Sequence, residues 1–156
     1  MRAFWFSAAI VFALDHGSKW LVVEWLDLRH RLALDVWPPF LRLRMGWNEG
    51  INFGLFAHEA EAMRWGLVVL ALAVSGWLVW WARRHLAAPV ARAAAGAVAG
   101  GALGNALDRV LHGAVADFLN MSCCGIANPY AFNIADVGIV GGAILLIFVA
   151  DRHRSG

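Results

Sequence analysis

The chain has 156 residues, enough for one domain, and 61% of them are apolar, against roughly 45–50% for a similar set in soluble domains. A net charge of +2, with no basic residues clustered among aromatics, excludes a nucleic-acid footprint. The two cysteines are adjacent, which excludes a disulfide framework. The apolar excess lies in runs long enough to cross a bilayer, at about 20 residues each.

The first run, about 4–25, begins after Arg2 like a secretory signal, but Asp15 and Lys19 interrupt it and no small-x-small cleavage site follows. It predicts a retained transmembrane helix. Asp15, Ser18 and Lys19 share one helical face, and Asp15 precedes Lys19 in the order favourable for an ion pair. That pair reads first as a structural pin between packed helices.

Residues 27–63 do not span. Acidic and basic residues interrupt them, and Pro38-Pro39 breaks any helix. Phe40 to Met45 alternates apolar and basic, which predicts a short strand. Trp47-Asn48-Glu49-Gly50 is a turn signal, followed by the apolar INFGLF. A small sheet on the membrane surface fits this insert. Asn48 and Gly50 are either turn residues or substrate contacts, and spacing leaves both open.

The second span is about 64–82, with Trp65 at its start and Trp77, Trp80 and Trp81 near its end, as interfacial belts require. The third, about 90–111, is rich in Ala and Gly. Gly96, Gly100 and Gly104 recur every four residues, a seam that admits a second helix at close range. Beside it lie Asn105, Asp108, Arg109 and His112. The fourth span is about 132–150 and carries Asn133 and Asp136 at its start. The predicted fold class is therefore an all-α membrane protein: one domain over 1–156, four transmembrane helices and a small extracytoplasmic β-sheet. Arg83, Arg84 and Arg92 flank the second-to-third connection, whereas 111–130 has no Lys or Arg. The positive-inside rule then puts both termini in the cytoplasm and the polar cluster at the extracytoplasmic end.

Ionisable groups at membrane depth are functional-site candidates by default. Among the four Asp in or near the spans, Asp15 has Lys19 close in sequence and Asp108 has Arg109. Asp117 and Asp136 have no such neighbour, and are the better candidates for a carboxylate pair sharing one proton. The competing reading has Asp117 capping a helix and Asp136 hydrogen-bonding across the bundle. Scattered histidines without an H-E-x-x-H pattern, and Cys123-Cys124 without a second ligand pair, give no metal site. A proton-coupled transporter would also place carboxylates in such a bundle, but it predicts internal repeats and midplane helix breaks, which this chain lacks.

Five blocks in order, LDHGSK, NEGINFG, GGALGNALDR, VADF and FNIAD, resemble the lipoprotein signal peptidases (signal peptidase II), bacterial inner-membrane aspartic peptidases. The resemblance covers nearly the whole chain. It implies a four-helix bundle with a small sheet and an amphipathic element between the first two helices. Asp117 and Asp136 would be the catalytic pair. Asn48, Gly50, Asn105, Arg109 and Asn133 would line the substrate site, and Asp15, Lys19 and Asp108 would be structural. The implied substrate is a diacylglyceryl-modified prolipoprotein in membrane lipid, cleaved before its lipidated cysteine by a monomer without metal or cofactor. Globomycin is the implied inhibitor. His16, Ser18 and Asn52 depart from the commonest family pattern, where Gln, Thr and a small residue are frequent.

Overall fold

The computed structural model describes residues 1–50, 57–125 and 128–152. The INFGLF run with Asn52, and the end of the chain from His153, lie outside the described residues. Helix α1 (Arg2–Lys19) continues into a π-helical turn over Trp20–Trp25, marked by the Leu26 amide donating to the Leu21 carbonyl at 2.9 Å. One short turn, α2 (Leu28–Arg31), leads into strands β1 (Ala33–Trp37) and β2 (Leu41–Asn48). Helices α3 (Ala57–Arg84) and α4 (Pro89–His112) follow, then strand β3 (Val115–Met121) and helix α5 (Ile134–Arg152).

The sheet is three-stranded and antiparallel in the order β1-β2-β3. The predicted strand at Phe40 to Met45 is β2, displaced to Leu41–Asn48. The sequence gives no sign of β3, because Val115 to Phe118 are all buried. A strand covered on both faces loses the alternation that identifies one. Asp117 therefore lies in a strand and caps no helix.

Helix α4 is the centre of the bundle and packs against α1, α3 and α5. It starts with Pro89 at its first turn and ends at Gly113, whose φ of 84° no branched side chain adopts cheaply. The predicted glycine seam is where α1 crosses it. A methyl group at Gly96 would overlap the Phe4 carbonyl, and one at Gly100 would overlap Ala8. Gly101 makes the same close approach to the Ala135 carbonyl of α5. Lipid offers no hydrophobic drive between helices, so close van der Waals contact has to supply the association.

Apolar side chains cover the outside: Phe6, Ile147 and Phe148 are each about 70% exposed. In water such a surface would be an aggregation liability. Arg2–Trp25 and Ala60–Arg84 are long and apolar enough to cross a membrane, and Ile134–Val149 is a shorter apolar helix.

Gly100→Ala should cost about 1–3 kcal/mol, the usual penalty for overpacking. Gly76, with nothing within 4 Å of an added methyl, should accept alanine without loss. Thermal unfolding in detergent compares the two; equal midpoints would mean that the seam does not hold the bundle.

Candidate active site

Three buried ionised side chains underlie the site. Lys19 lies 2.5 Å from Asp15 Oδ2 and 2.8 Å from Asp108 Oδ2, and all three residues are under 10% exposed. Each carboxylate also accepts one backbone N–H from another element. Asp15 Oδ1 takes the Ala135 amide at 3.0 Å, and Asp108 Oδ2 takes the Ala116 amide at 3.2 Å. Ala116 and Ala135 directly precede Asp117 and Asp136. One lysine thus links α1 and α4 and, through two amides, fixes the backbone beside both candidate catalytic residues.

Asp136 sits in the first turn of α5, and Asn133 is the residue before that helix. They form a capping box. The Asp136 amide donates to Asn133 Oδ1 at 2.9 Å, and the Asn133 amide donates to Asp136 Oδ2 at 3.2 Å. Asn133 is therefore a cap just before the helix that binds Asp136 reciprocally, not a residue of the helix itself. Its side-chain nitrogen donates to Asp117 Oδ1 at 2.7 Å and to Asn105 Oδ1 at 3.1 Å. Asn105 in turn donates to Asp136 Oδ1 at 2.9 Å. The structure thus brings together Asp117, Asp136, Asn133 and Asn105 from β3, α5 and α4.

From β2, Asn48 donates to Asp117 Oδ2 at 3.1 Å, and the Gly50 amide donates to Asn48 Oδ1 at 3.0 Å. Gly50, at φ 106°, serves here by orienting Asn48. Arg109 is half-buried and donates to the Asn105 carbonyl at 3.3 Å, while its Nε is buried with no hydrogen-bond partner among the described residues. Its charge acts on Asp117, Asp136 and Asp108. The two Asp that lack a nearby cation in sequence therefore have one in space, which the helical turns between Arg109 and Asp117 concealed. His112 packs beside Trp47, with ring centroids 6.0 Å apart. Among the described residues, no three His, Cys, Asp or Glu side chains converge as metal ligands.

Burial pushes the Asp117 carboxyl up to about 6, and the Asp136 charge adds to the rise. The hydrogen bonds from Asn48 and Asn133, and the Lys19 charge, oppose it. A carboxyl in this range exchanges protons near neutral pH, as general acid–base chemistry needs.

Sequence reasoning missed Arg64. From α3 it donates to the carbonyls of Arg109 at 2.6 Å and Val110 at 2.9 Å, closing the C-terminus of the helix that carries Asn105 and Arg109. An arginine at the start of a span reads as an interfacial anchor, and only the tertiary structure shows its second use. His16, the departure in the first span, stacks on Phe12 and reaches to 3.9 Å from Asp108, at the rim of the ion cluster.

Fold and site together define a helical membrane protein with a paired-carboxylate centre at one end of its bundle. Two bacterial membrane enzymes solved by the in meso method share this fold. One superposes with a TM-score of 0.82 at 24% identity over 96% of this chain and 93% of its own, the other with 0.78 at 24% identity over 99% and 91%. The family model for signal peptidase (SPase) II matches residues 7–150. The lipoprotein signal peptidase of Neisseria meningitidis serogroup C is 37% identical over 151 residues, 97% of this chain and 90% of its own length. That of Methylobacterium sp. strain 4-46 is 39% identical over 144 residues, 90% and 84% of the two chains. The chain belongs to the signal peptidase II family.

Two outcomes test this geometry. Asn48→Ala removes a donor that favours the charged form of Asp117, so its pKa rises. The limb of the pH–rate profile that Asp117 governs should move to higher pH by about one unit, or ~1.4 kcal/mol. Lys19→Met leaves two buried carboxylates without their cation, at a cost of about 3–5 kcal/mol. Adding Asp15→Asn and Asp108→Asn should restore much of that loss. A triple variant no more stable than Lys19→Met alone would contradict the ion-cluster account.

Proposed function

We propose that this chain is an aspartic endopeptidase that removes the signal peptide from diacylglyceryl-modified prolipoproteins, cleaving before the lipidated cysteine. The observation that carries the reading is Asn133. Its side-chain nitrogen donates to Asp117, its backbone amide donates to Asp136, and its side-chain oxygen accepts the Asp136 amide, so one residue fixes the two carboxylates relative to each other. The family membership and the relatives' name supply the substrate class.

In this mechanism the pair holds one proton and a water. The ionised carboxylate takes a proton from the water as its oxygen attacks the scissile carbonyl carbon. The protonated carboxyl gives its proton to the carbonyl oxygen. Collapse of the tetrahedral intermediate breaks the C–N bond, and the proton taken from water goes to the departing amine. The two roles belong to the coupled pair, since like charges so close titrate as a unit. Asn48, Gly50, Asn105, Arg109 and Asn133 line the substrate site. The Nε of Arg109, buried without a hydrogen-bond partner among the described residues, offers a donor for a substrate carbonyl. No metal or cofactor has a role in these steps.

The monomer works in the bacterial inner membrane. α1, α3, α4 and α5 are its four spans, both termini lie in the cytoplasm, and the 27–63 insert and the carboxylates lie at the outer face. The three arginines around the α3–α4 connection, and the absence of Lys and Arg between 111 and 130, support this orientation. The substrate's acyl chains stay in lipid while its peptide reaches the pair from the side.

The test is cleavage of a diacylglyceryl-prolipoprotein by purified enzyme in detergent, with chelator present throughout. Wild type should cleave. Asp117→Asn and Asp136→Asn should lose activity by at least ~10³-fold, as removal of an acid–base group does, while keeping the wild-type unfolding midpoint within a few degrees. Processing at the normal rate by either variant would sink the assignment.

A further inference from the structure

Cys123 and Cys124 are adjacent, free and exposed, and the function above makes no use of them. They sit on the turn just after β3, between the strand that carries Asp117 and the helix that carries Asp136. Cys124 and Gly125 both take positive φ, 61° and 79°, so the chain reverses sharply there. The base of the loop is tied down. Asn120 donates to the carbonyls of Asn128 at 2.7 Å and Tyr130 at 2.8 Å, and Ser122 Oγ accepts the Asn128 amide at 3.0 Å. The Ser122 amide donates to the Phe40 carbonyl of the β1–β2 turn at 3.1 Å. Both cysteines lie exposed on this anchored base. Cys123 also borders a groove of about 720 Å³ that Arg42, Asn120 and Ser122 help to line, so a soluble reagent can reach it.

We propose that Cys123 and Cys124 form a reversible redox site, closing to a vicinal disulfide in the oxidising space outside the membrane. The proposal rests on the orientation given under the proposed function. Exposed thiols outside the cytoplasm meet disulfide oxidants, which cytosolic thiols do not. The two cysteines are neighbours in the chain, and no other cysteine exists in it to compete. Closure is thiol–disulfide exchange with an oxidant that is itself a disulfide. One cysteine thiolate attacks a sulfur of the oxidant and releases its first thiol. The second cysteine thiolate then attacks the mixed disulfide and releases the other. One S–S bond forms in the chain and one breaks in the oxidant. Two electrons pass to the oxidant, and the two thiol protons end on its sulfurs.

The ring is strained, which makes it a switchable bond. Neighbouring Cα atoms are about 3.8 Å apart across a trans peptide, below the usual 4.4–6.8 Å of a disulfide. Strained, exposed disulfides are the readily reduced ones. Oxidation would stiffen the turn between the two carboxylates without touching either.

The test counts accessible thiols on intact spheroplasts expressing the full chain, using a membrane-impermeant maleimide that adds visible mass. The expected result is no tag before reduction and two tags after reduced glutathione alone. The untreated protein should be lighter than the reduced one by two hydrogens in intact-mass analysis. Cys123→Ser and Cys124→Ser should each accept one tag without reduction. Two tags on untreated wild type would overturn the proposal and leave the orientation standing. Tagging only after the membrane is permeabilised, even with reductant, would overturn the orientation and the proposal with it. A reductant-sensitive dimer of wild type would show pairing between chains and overturn the ring.

Discussion

The interaction on which the rest depends is the buried contact of Lys19 with Asp15 and Asp108. An unpaired charge in a bundle interior is costly, and here one ammonium serves two carboxylates whose remaining lone pairs take backbone amides. Such a cluster adds little net stability compared with well-packed apolar groups. Its contribution is direction. The amides it holds belong to Ala116 and Ala135, so the polypeptide cannot shift at Asp117 or Asp136 without leaving a buried charge short of a partner. A specificity device of this kind suits a site whose groups come from a strand and a helix separated by a long loop.

The cluster can form only because the helices come close enough. Asp15 Oδ2 lies 3.0 Å from where a side-chain carbon on Gly104 would be, so glycine at that position leaves room for the carboxylate. Gly96 and Gly100 bring α1 against α4, and Gly101 brings α5. The small residues and the charges thus have one purpose at two levels. Glycine sets the distance between backbones, and the ions then fix rotation and depth. Helix α4 can carry these polar groups because α1, α3 and α5 pack around it.

How much of this was legible depended on whether the signal was local. The helix positions were clear from apolar runs, since a bilayer demands continuous length. The small sheet was half legible: β2 alternates, but β3 is buried on both faces and reads as one more apolar stretch. The glycine seam announced close packing, and the Asp15–Lys19 pair announced itself by its spacing. Their shared partner Asp108 did not, since in sequence its neighbouring cation is Arg109. In space Asp108 binds Lys19, and Arg109 bears on all three nearby carboxylates. The capping box is hidden for a similar reason: in sequence Asn133 reads as part of the helix, whereas its position just before it creates the reciprocal bonds. Ordered motifs carried the family; the network between motifs needed coordinates.

The balance at Asp117 shows what the asparagines contribute. Burial raises the pKa of its carboxyl, and the Asp136 charge pushes the same way. The donors on Asn48 and Asn133, with the positive field of Lys19, bring it back to about 6. Asparagine suits this purpose better than a second cation. It stabilises the charged form by a hydrogen bond without supplying the full charge that would keep both carboxylates ionised. With neutral donors around it, the partly buried Asp117 carboxyl can lose its proton near neutral pH. The same asparagines are anchored, Asn48 by the Gly50 amide and Asn133 by the Asp136 amide. Their donors are therefore held aimed at the carboxylates, the kind of preorganisation by which a polar site can stabilise charge without reorganising.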